Sequence, residues 1–167
     1  VNTSNGEIIG YQCVGNGDVS RQLATAAMAI QGKMTLDALC CADLPYAPPY
    51  SLAIDHFIAS AHILQNKIKG RLKGISAKEV KDKVERGEKI FLLDGRGPDE
   101  HEVLRLGIGE HYIPLGALKG RLEELPQDKG SEIICFCKIS LRGYEAAIVL
   151  ENLGYTNVRV MEGGIMA

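Results

Sequence analysis

The segment from Cys137 to Arg142 (Cys-Lys-Ile-Ser-Leu-Arg) carries the residue types best suited to nucleophilic chemistry. It follows a short apolar run, Ile133 to Phe136, and leads into a helical pattern that continues to Leu153. A strand that ends in a cysteine and turns into a helix aims backbone N–H groups and the positive end of the helix dipole at the sulfur. Arg142 adds a fixed positive charge, and such an environment favours a nucleophilic thiolate. The sequence therefore predicts a reactive Cys137.

The spacing of cysteine and arginine leaves an alternative open, because a buried strand cysteine followed by an arginine on a helix surface gives the same pattern. If the cysteine is reactive, the length of the loop indicates which anion it would bind. Phosphatases that combine a thiolate with a phosphate cradle have one more residue between the two. A shorter loop encloses a smaller anion, so sulfane sulfur fits this segment better than phosphate does.

The other cysteines are expected to be structural. Cys135 lies two residues before Cys137 and deeper in the predicted strand, which favours a core position over a resolving thiol. Cys40 and Cys41 are adjacent, and either a strained vicinal disulfide or packing at a helix end would account for them. The total of five cysteines is odd and their spacing suggests no disulfide framework, so we expect the reducing cytoplasm as the compartment.

Composition excludes several classes of function. The net charge of −2 in 167 residues gives no sign of a nucleic-acid surface or a polybasic membrane patch. No apolar run approaches the ~20 residues of a membrane helix, and the N-terminal residues lack the features of a secretory signal. We expect no metal centre, since no Cys-x-x-Cys occurs and the histidines are scattered, at His56, His62, His101 and His111.

The second half of the chain alternates strand and helix patterns. The predicted elements are a helix from Ser76 to about Arg86, a strand from Ile90 to Leu93, a short helix opened by Asp99 and Glu100, a helix from Ala117 to Leu125, a strand from Glu132 to Phe136, a helix from Arg142 to Leu153, and a strand from Asn157 to Met161. Such alternation predicts an α/β fold with a parallel sheet covered on both faces. Sites in such sheets lie at the carboxyl ends of strands, where Asp94 and Cys137 are expected.

The first half is less complete. Its predicted elements are a strand over residues 6–14, a helix over 19–32 with Asp18 as a candidate cap, a short helix over 35–39, an extended proline-rich stretch over 44–51, and a helix over 52–64. One strand cannot make a sheet, so this half should need a partner to bury its apolar surface. We predict a division into 1–66, a basic glycine-bounded linker 67–74, and 75–167.

Residues 75–167 resemble a rhodanese domain, which implies a three-layer αβα fold with a parallel sheet. The resemblance depends on the active-site segment from Ile134 to Ala147, on Leu93-Asp94-Gly95-Arg96, on His111-Tyr112-Ile113-Pro114-Leu115, and on Met161-Glu162-Gly163-Gly164. Rhodanese domains transfer sulfur through a cysteine persulfide, and this resemblance implies the same activity here.

Residues 1–64 resemble the C-terminal part of the dimerisation domain of flavin-dependent pyridine nucleotide-disulfide reductases, which implies an incomplete α+β fragment. The matching pieces are 6–12, 14–15, 34–37 and Tyr46-Ala47-Pro48-Pro49-Tyr50-Ser51. Coenzyme A-disulfide reductases and NADH-dependent persulfide reductases with a fused rhodanese domain have this order. No Gly-x-Gly-x-x-Gly fingerprint occurs. The resemblance therefore implies that this chain binds no cofactor itself, and that FAD, NADH and coenzyme A belong to a longer enzyme of which it is the C-terminal end.

The resemblance also assigns roles to individual residues. Cys137 would carry the persulfide, and Arg142 would steer anionic sulfur or support the loop. Asp94 and Arg96 would brace the site from the neighbouring strand end. Backbone N–H groups of the loop would bind the outer sulfur, those of Lys138, Ile139, Ser140 and Leu141 among them.

Three positions carry open questions. Tyr46 matches a tyrosine that reaches the partner subunit's thiol site in coenzyme A-disulfide reductases, although an aromatic ring packed on prolines is an equal alternative. The family favours glycine where this chain has Ser140, which is strained if its φ is positive, although its hydroxyl could donate to the sulfur. Gly95 replaces a valine of the family and should loosen the strand end. The last two departures would weaken turnover.

The expected function is sulfur transfer from a small donor to a thiol acceptor, with coenzyme A persulfide a candidate and a homodimer the expected assembly. Two alternatives remain. One is a dimerisation and substrate-delivery tail whose chemistry belongs to flavin domains. The other is a rhodanese-like binding module without turnover.

Overall fold

The computed structural model describes residues 1–167, which form two compact units, Val1–Arg71 and Leu72–Ala167. The first unit consists of the helices α1 (Ser20–Gln31), α2 (Leu36–Cys40) and α3 (His56–Ile68). Two of them begin at side-chain caps, since Thr35 accepts from the N–H of Ala38 and Asp55 accepts from that of Phe57. Their apolar faces enclose a small core of their own, which includes Ile8, Leu39 and Phe57.

The strand predicted over residues 6–14 is wrong, because the structure has only an isolated antiparallel bridge between Glu7 and Thr35 there. A single extended segment has no neighbour with which to form a ladder. The proline-rich stretch is not fully extended either, since the N–H of Tyr50 donates to the carbonyl of Ala47 (2.8 Å) and closes a turn. The helix predicted over 52–64 begins later, at His56, because its cap is Asp55.

The second unit is an α/β fold around one parallel sheet, as predicted. Its elements are β1 (Gly74–Ile75), α4 (Ala77–Glu85), β2 (Phe91–Asp94), α5 (Pro98–Val103), β3 (His111–Tyr112), β4 (Ile133–Phe136), α6 (Leu141–Asn152) and β5 (Val158–Met161). The strand order is β1-β5-β4-β2-β3, and every pair is parallel. The predicted capping box that starts α4 is present, with Ser76 and Glu79 bonding to each other's backbone.

Alternate side chains of the central strand supply the two faces of the sheet. Ile133 and Cys135 belong to the core on the α6 side, whereas Ile134 and Phe136 belong to the core that contains Val80 of α4. All four are fully buried. A strand that is buried and apolar at every position must be covered on both faces. The sheet is therefore the middle layer of a three-layer αβα arrangement.

Two details of the second unit differ from the prediction. The helix expected from Ala117 to Leu125 is instead a pair of 3₁₀ helices, Leu115–Gly120 and Leu122–Glu124. Two glycines within this stretch lower its helix propensity. The edge strands β1 and β3 were missed because two residues each are too few to show a period. No helix in the structure combines the length and the apolar character needed to cross a membrane.

Candidate active site

The loop between β4 and α6 is fixed by hydrogen bonds to its carbonyl groups. Cys137 is the first residue after β4, and its carbonyl accepts from the N–H of Ile165 (2.9 Å). The carbonyl of Lys138 accepts from the N–H of Met166 (3.3 Å). These donors belong to a C-terminal 3₁₀ turn, Gly164–Met166, that lies against the loop. The turn therefore holds the loop by its carbonyls and leaves its amides free.

The amides of the loop form an unused set of donors. The N–H groups from Lys138 through Gly143 donate no hydrogen bond to another protein group, and the first that does is Tyr144, to the carbonyl of Ser140 (2.8 Å). The N-terminal end of the 12-residue helix α6 contributes its dipole at the same place. Unpaired N–H groups at a helix N-terminus favour an anion. The predicted cradle for an outer sulfur atom is available, and its use stays a prediction.

Cys137 and Cys135 have different surroundings although both are buried. Cys135 packs inside the apolar core on the α6 side, and this burial raises the pKa of its thiol far above the usual range. Cys137 is 1% exposed but belongs to none of the apolar clusters. The side chains that follow it project outward, with Ile139 66% and Leu141 63% exposed. Cys137 is therefore a buried thiol at the start of a loop whose next side chains are exposed, while Cys135 is a core residue.

Arg142 is held by Glu100, a contact that sequence analysis missed. The guanidinium donates Nη1 to Glu100 Oε2 (2.5 Å) and Nη2 to Glu100 Oε1 (2.8 Å), in the two-pronged geometry that arginine and carboxylate favour. Glu100 also accepts from the N–H of Gly97 (3.1 Å) at the start of α5. The acidic pair that opens α5 was visible in the sequence. Glu100 is 42 residues from Arg142, however, and no local pattern indicates a contact over that separation.

The ion pair lowers the pKa of Glu100 and raises that of Arg142, so both groups stay charged over a wider pH range. Hydrogen bonds from Arg142 and, next, from the Gly97 N–H lower the pKa of Glu100 from 4.5 to about 2. The pKa of Arg142 rises chiefly through its hydrogen bonds to Glu100. Arg142 is therefore committed to the carboxylate of α5.

Asp94 and Arg96 form a buried ion pair beside the loop. Asp94 pairs with Phe136 across β2 and β4, so it stands one residue from Cys137 in register. Arg96 Nε and Nη2 donate to the Asp94 carboxylate at 2.9 and 2.7 Å, and the two residues are 2% and 0% exposed. Arg96 also donates to the carbonyls of Glu100 (3.0 Å) and Leu104 (2.7 Å). The pair thereby ties α5 to the end of β2, and its predicted bracing role stays a prediction.

His101 completes this buried group and was not singled out by the sequence. Its Nδ1 lies 2.9 Å from Asp94 Oδ2, and its ring stacks on Tyr112 with centroids 4.0 Å apart. Burial alone would raise the pKa of Asp94, but hydrogen bonds from Arg96 and His101 together hold it below its usual value. Asp94 is therefore a charged structural residue, with its oxygens committed to neighbouring side chains.

The two departures from the family pattern have defined conformations. Ser140 has φ +86°, so the strained conformation considered for it is present. Its hydroxyl donates to the carbonyl of Met161 (2.9 Å) and not to the sulfur. Gly95 does not loosen the strand end, because its N–H donates to the carbonyl of Phe136 (2.9 Å) and continues the ladder.

Tyr46 lies in the first unit and is 58% exposed. It immediately precedes the turn that Tyr50 closes onto Ala47. The described contacts give it no hydrogen-bond partner, and the role that the resemblance assigns to it stays a prediction.

A parallel five-stranded sheet with a cysteine at the end of its central strand, followed by a loop and a helix, defines the rhodanese type of domain. The chain belongs to that family, since the family model "Rhodanese-like domain" matches residues 76–167, more than half of the sequence. The predicted family and fold are therefore confirmed.

Three curated relatives each match about half of the chain. The putative sulfurtransferase YtwF of Bacillus subtilis is 32% identical over 97 residues, which are 58% of this chain and 89% of that protein. A sulfurtransferase of Allochromatium vinosum is 31% identical, over 48% of this chain and 72% of that protein. The probable adenylyltransferase/sulfurtransferase MoeZ of Mycobacterium tuberculosis is 30% identical over 56% of this chain, which spans 24% of MoeZ.

Two solved structures match both units. A NAD-dependent persulfide reductase from A. fulgidus is 38% identical with a TM-score of 0.76, over 91% of this chain and 26% of that one. The reduced CoADR-RHD of Bacillus anthracis is 34% identical with a TM-score of 0.78, over 87% of this chain and 25% of that one. The chain thus spans about a quarter of the length of these two proteins, and its resemblance to such a fusion is confirmed.

Proposed function

We propose that this chain transfers sulfane sulfur through a persulfide on Cys137. The observation that carries the proposal is the loop itself, in which the amides from Lys138 through Gly143 are unbonded and the guanidinium of Arg142 lies at the start of the helix that follows. A hydrodisulfide anion on Cys137 would find hydrogen-bond donors and a nearby guanidinium without any displacement of protein bonds.

The proposed reaction needs no external oxidant or reductant. The Cys137 thiolate attacks the outer sulfur of a donor such as thiosulfate and forms a new S–S bond. The bond between that sulfur and the donor breaks, and sulfite leaves with the electron pair. A thiolate acceptor then attacks the outer sulfur of the persulfide, and the Cys137 thiolate leaves with the electron pair of the broken bond. Each step exchanges one sulfur bond for another.

We further propose that the chain acts as the C-terminal part of a flavin- and NADH-dependent coenzyme A-disulfide or persulfide reductase. Similarity to the A. fulgidus and B. anthracis proteins over 91% and 87% of this chain supports this context. FAD and NADH would be bound by domains that this sequence does not include. Coenzyme A persulfide is the candidate donor, or the product when the coenzyme A thiol is the acceptor. Within that context the first unit would contribute to a homodimer, and Tyr46 would approach the partner's thiol site.

The direct test is intact-mass measurement after incubation with thiosulfate, together with a cyanide-acceptor assay. We expect one added sulfur atom (about 32 Da) on the protein, on a thiolate of the activated kind. Cys137→Ser should abolish both the added mass and the turnover. Cys135→Ala, which removes the core thiol two residues away, should keep both. Turnover retained in Cys137→Ser would exclude Cys137 as the nucleophile.

A rhodanese-like binding module without turnover is the second candidate, and the 1% exposure of Cys137 favours it. In that case the loop would hold an anion without forming a bond to sulfur. Thiosulfate would then stabilise the wild-type protein against thermal unfolding but add no mass to it.

A further inference from the structure

Given the proposed function, on which this inference rests, the charge of the loop bears on the choice of sulfur donor. Two cations border Cys137, and they differ in their partners. Lys138 is exposed and forms no ion pair. Arg142 is bound at both prongs by Glu100, and the two side chains are 34% and 32% exposed. The carboxylate therefore cancels the charge of the arginine that ends the Cys137–Arg142 segment.

The position of Glu100 is fixed from three sides. Its carboxylate accepts from the Gly97 N–H, and its own carbonyl accepts from buried Arg96 at 3.0 Å. The following residue, His101, is anchored on Asp94. Glu100 therefore cannot swing away from Arg142 without loss of its Gly97 hydrogen bond, and a donor bound in the loop meets a fixed negative charge paired with the guanidinium.

We propose that Glu100 is a specificity-determining residue that selects sulfur donors with a single negative charge over donors with two. A dianion placed beside Arg142 is repelled by the Glu100 carboxylate about twice as strongly as a monoanion at the same position, because Coulomb energy scales with charge. The full charge of the guanidinium becomes available to the donor only when the carboxylate is removed.

The test compares two donors of matched shape. Thiosulfate carries two negative charges, and methanethiosulfonate, in which a methyl group replaces one oxygen, carries one. Each gives the same Cys137 persulfide, with sulfite or methanesulfinate as the leaving group. The rate constant for sulfur transfer to Cys137 is measured by mass spectrometry under single-turnover conditions for the wild type, E100Q, E100D and E102Q.

We expect E100Q to raise the rate constant for thiosulfate relative to methanethiosulfonate by about tenfold at low salt, and the change to shrink as salt is added. E102Q removes an exposed carboxylate from the same helix that contacts no described cation, so it should leave the ratio within about twofold. E100D keeps the charge but shortens the side chain, and it should also keep the wild-type ratio even if both rates fall.

Other outcomes separate the two proposals. A fall of both rates in E100Q with an unchanged ratio would make Glu100 a purely structural support and overturn the inference. An unchanged E100Q would overturn it as well. If neither donor adds sulfur to Cys137 in any of the proteins, the proposed function itself fails.

Discussion

Gly164 lies against the carbonyl oxygens of Cys137 and Lys138, so closely that a methyl group on its Cα would overlap both. Its φ of +63° is also one that residues other than glycine rarely adopt. The active-site loop and the C-terminal turn can therefore meet only through a residue without a side chain. The second glycine of the pair after β5 has this contact as its physical reason.

Gly164→Ala is expected to displace the loop and to lower the rate of Cys137 persulfidation by at least about tenfold, with a loss of stability of about 2 kcal/mol or more. The measurements are sulfur uptake by mass spectrometry and urea unfolding. Gly107→Ala is the matched control, since Gly107 has φ +69° but open space around its Cα. It carries the same backbone penalty without the overlap. Equal rates of sulfur uptake in the two variants would show that the contact does not matter.

Ser140 combines a strained backbone with a hydrogen bond to Met161. Ser140→Gly relieves the strain but loses the bond, and since each effect is worth about 1 kcal/mol, stability should change by less than about 1 kcal/mol. Ser140→Ala keeps the strain and loses the bond, so it should be less stable than wild type by about 1 kcal/mol. Urea unfolding of the three proteins tests this order, and an alanine variant as stable as wild type would contradict it.

Disruption of the Asp94–Arg96 pair should lower the free energy of unfolding more than disruption of any surface ion pair of the chain. Asp94→Asn leaves the guanidinium of fully buried Arg96 without a counter-charge, and we expect a loss of about 3 kcal/mol in the free energy of unfolding. Asp99→Asn, which removes an exposed carboxylate near the start of α5, should cost less than about 0.5 kcal/mol. Similar losses in both variants would mean that burial of the pair has no energetic weight.

The ion pair of Glu100 and Arg142 predicts a dependence of stability on pH. The pKa of Glu100 falls from 4.5 to about 2 on folding. A lowered carboxylate pKa contributes stability that is fully present above the unfolded value and is lost as pH falls through the folded one. The difference in unfolding free energy between wild type and Glu100→Gln should therefore be constant above about pH 5.5 and shrink toward about pH 2.5. A difference that stays constant across this range would contradict the assignment.

The sequence determined much of the second unit. The apolar runs of β2, β4 and β5, the capping box of α4 and the cysteine at the start of the loop were all readable, because burial on both faces and helix capping leave local patterns. The alternation of strand and helix also placed Asp94 and Cys137 at the same edge of the sheet, and the register confirms it. These features depend on residues close together in the chain.

Tertiary structure alone decided what surrounds Cys137. The partner of Arg142 is 42 residues away at Glu100, the carbonyls of the loop are held by Ile165 and Met166, and the Ser140 hydroxyl is taken by Met161, 21 residues on. The edge strands β1 and β3 likewise exist only because a neighbouring strand supplies their hydrogen bonds. Side-chain periodicity shows which residues are buried, but it does not show which distant group pairs with a charge or accepts from a donor. Those contacts are therefore visible only in the folded chain.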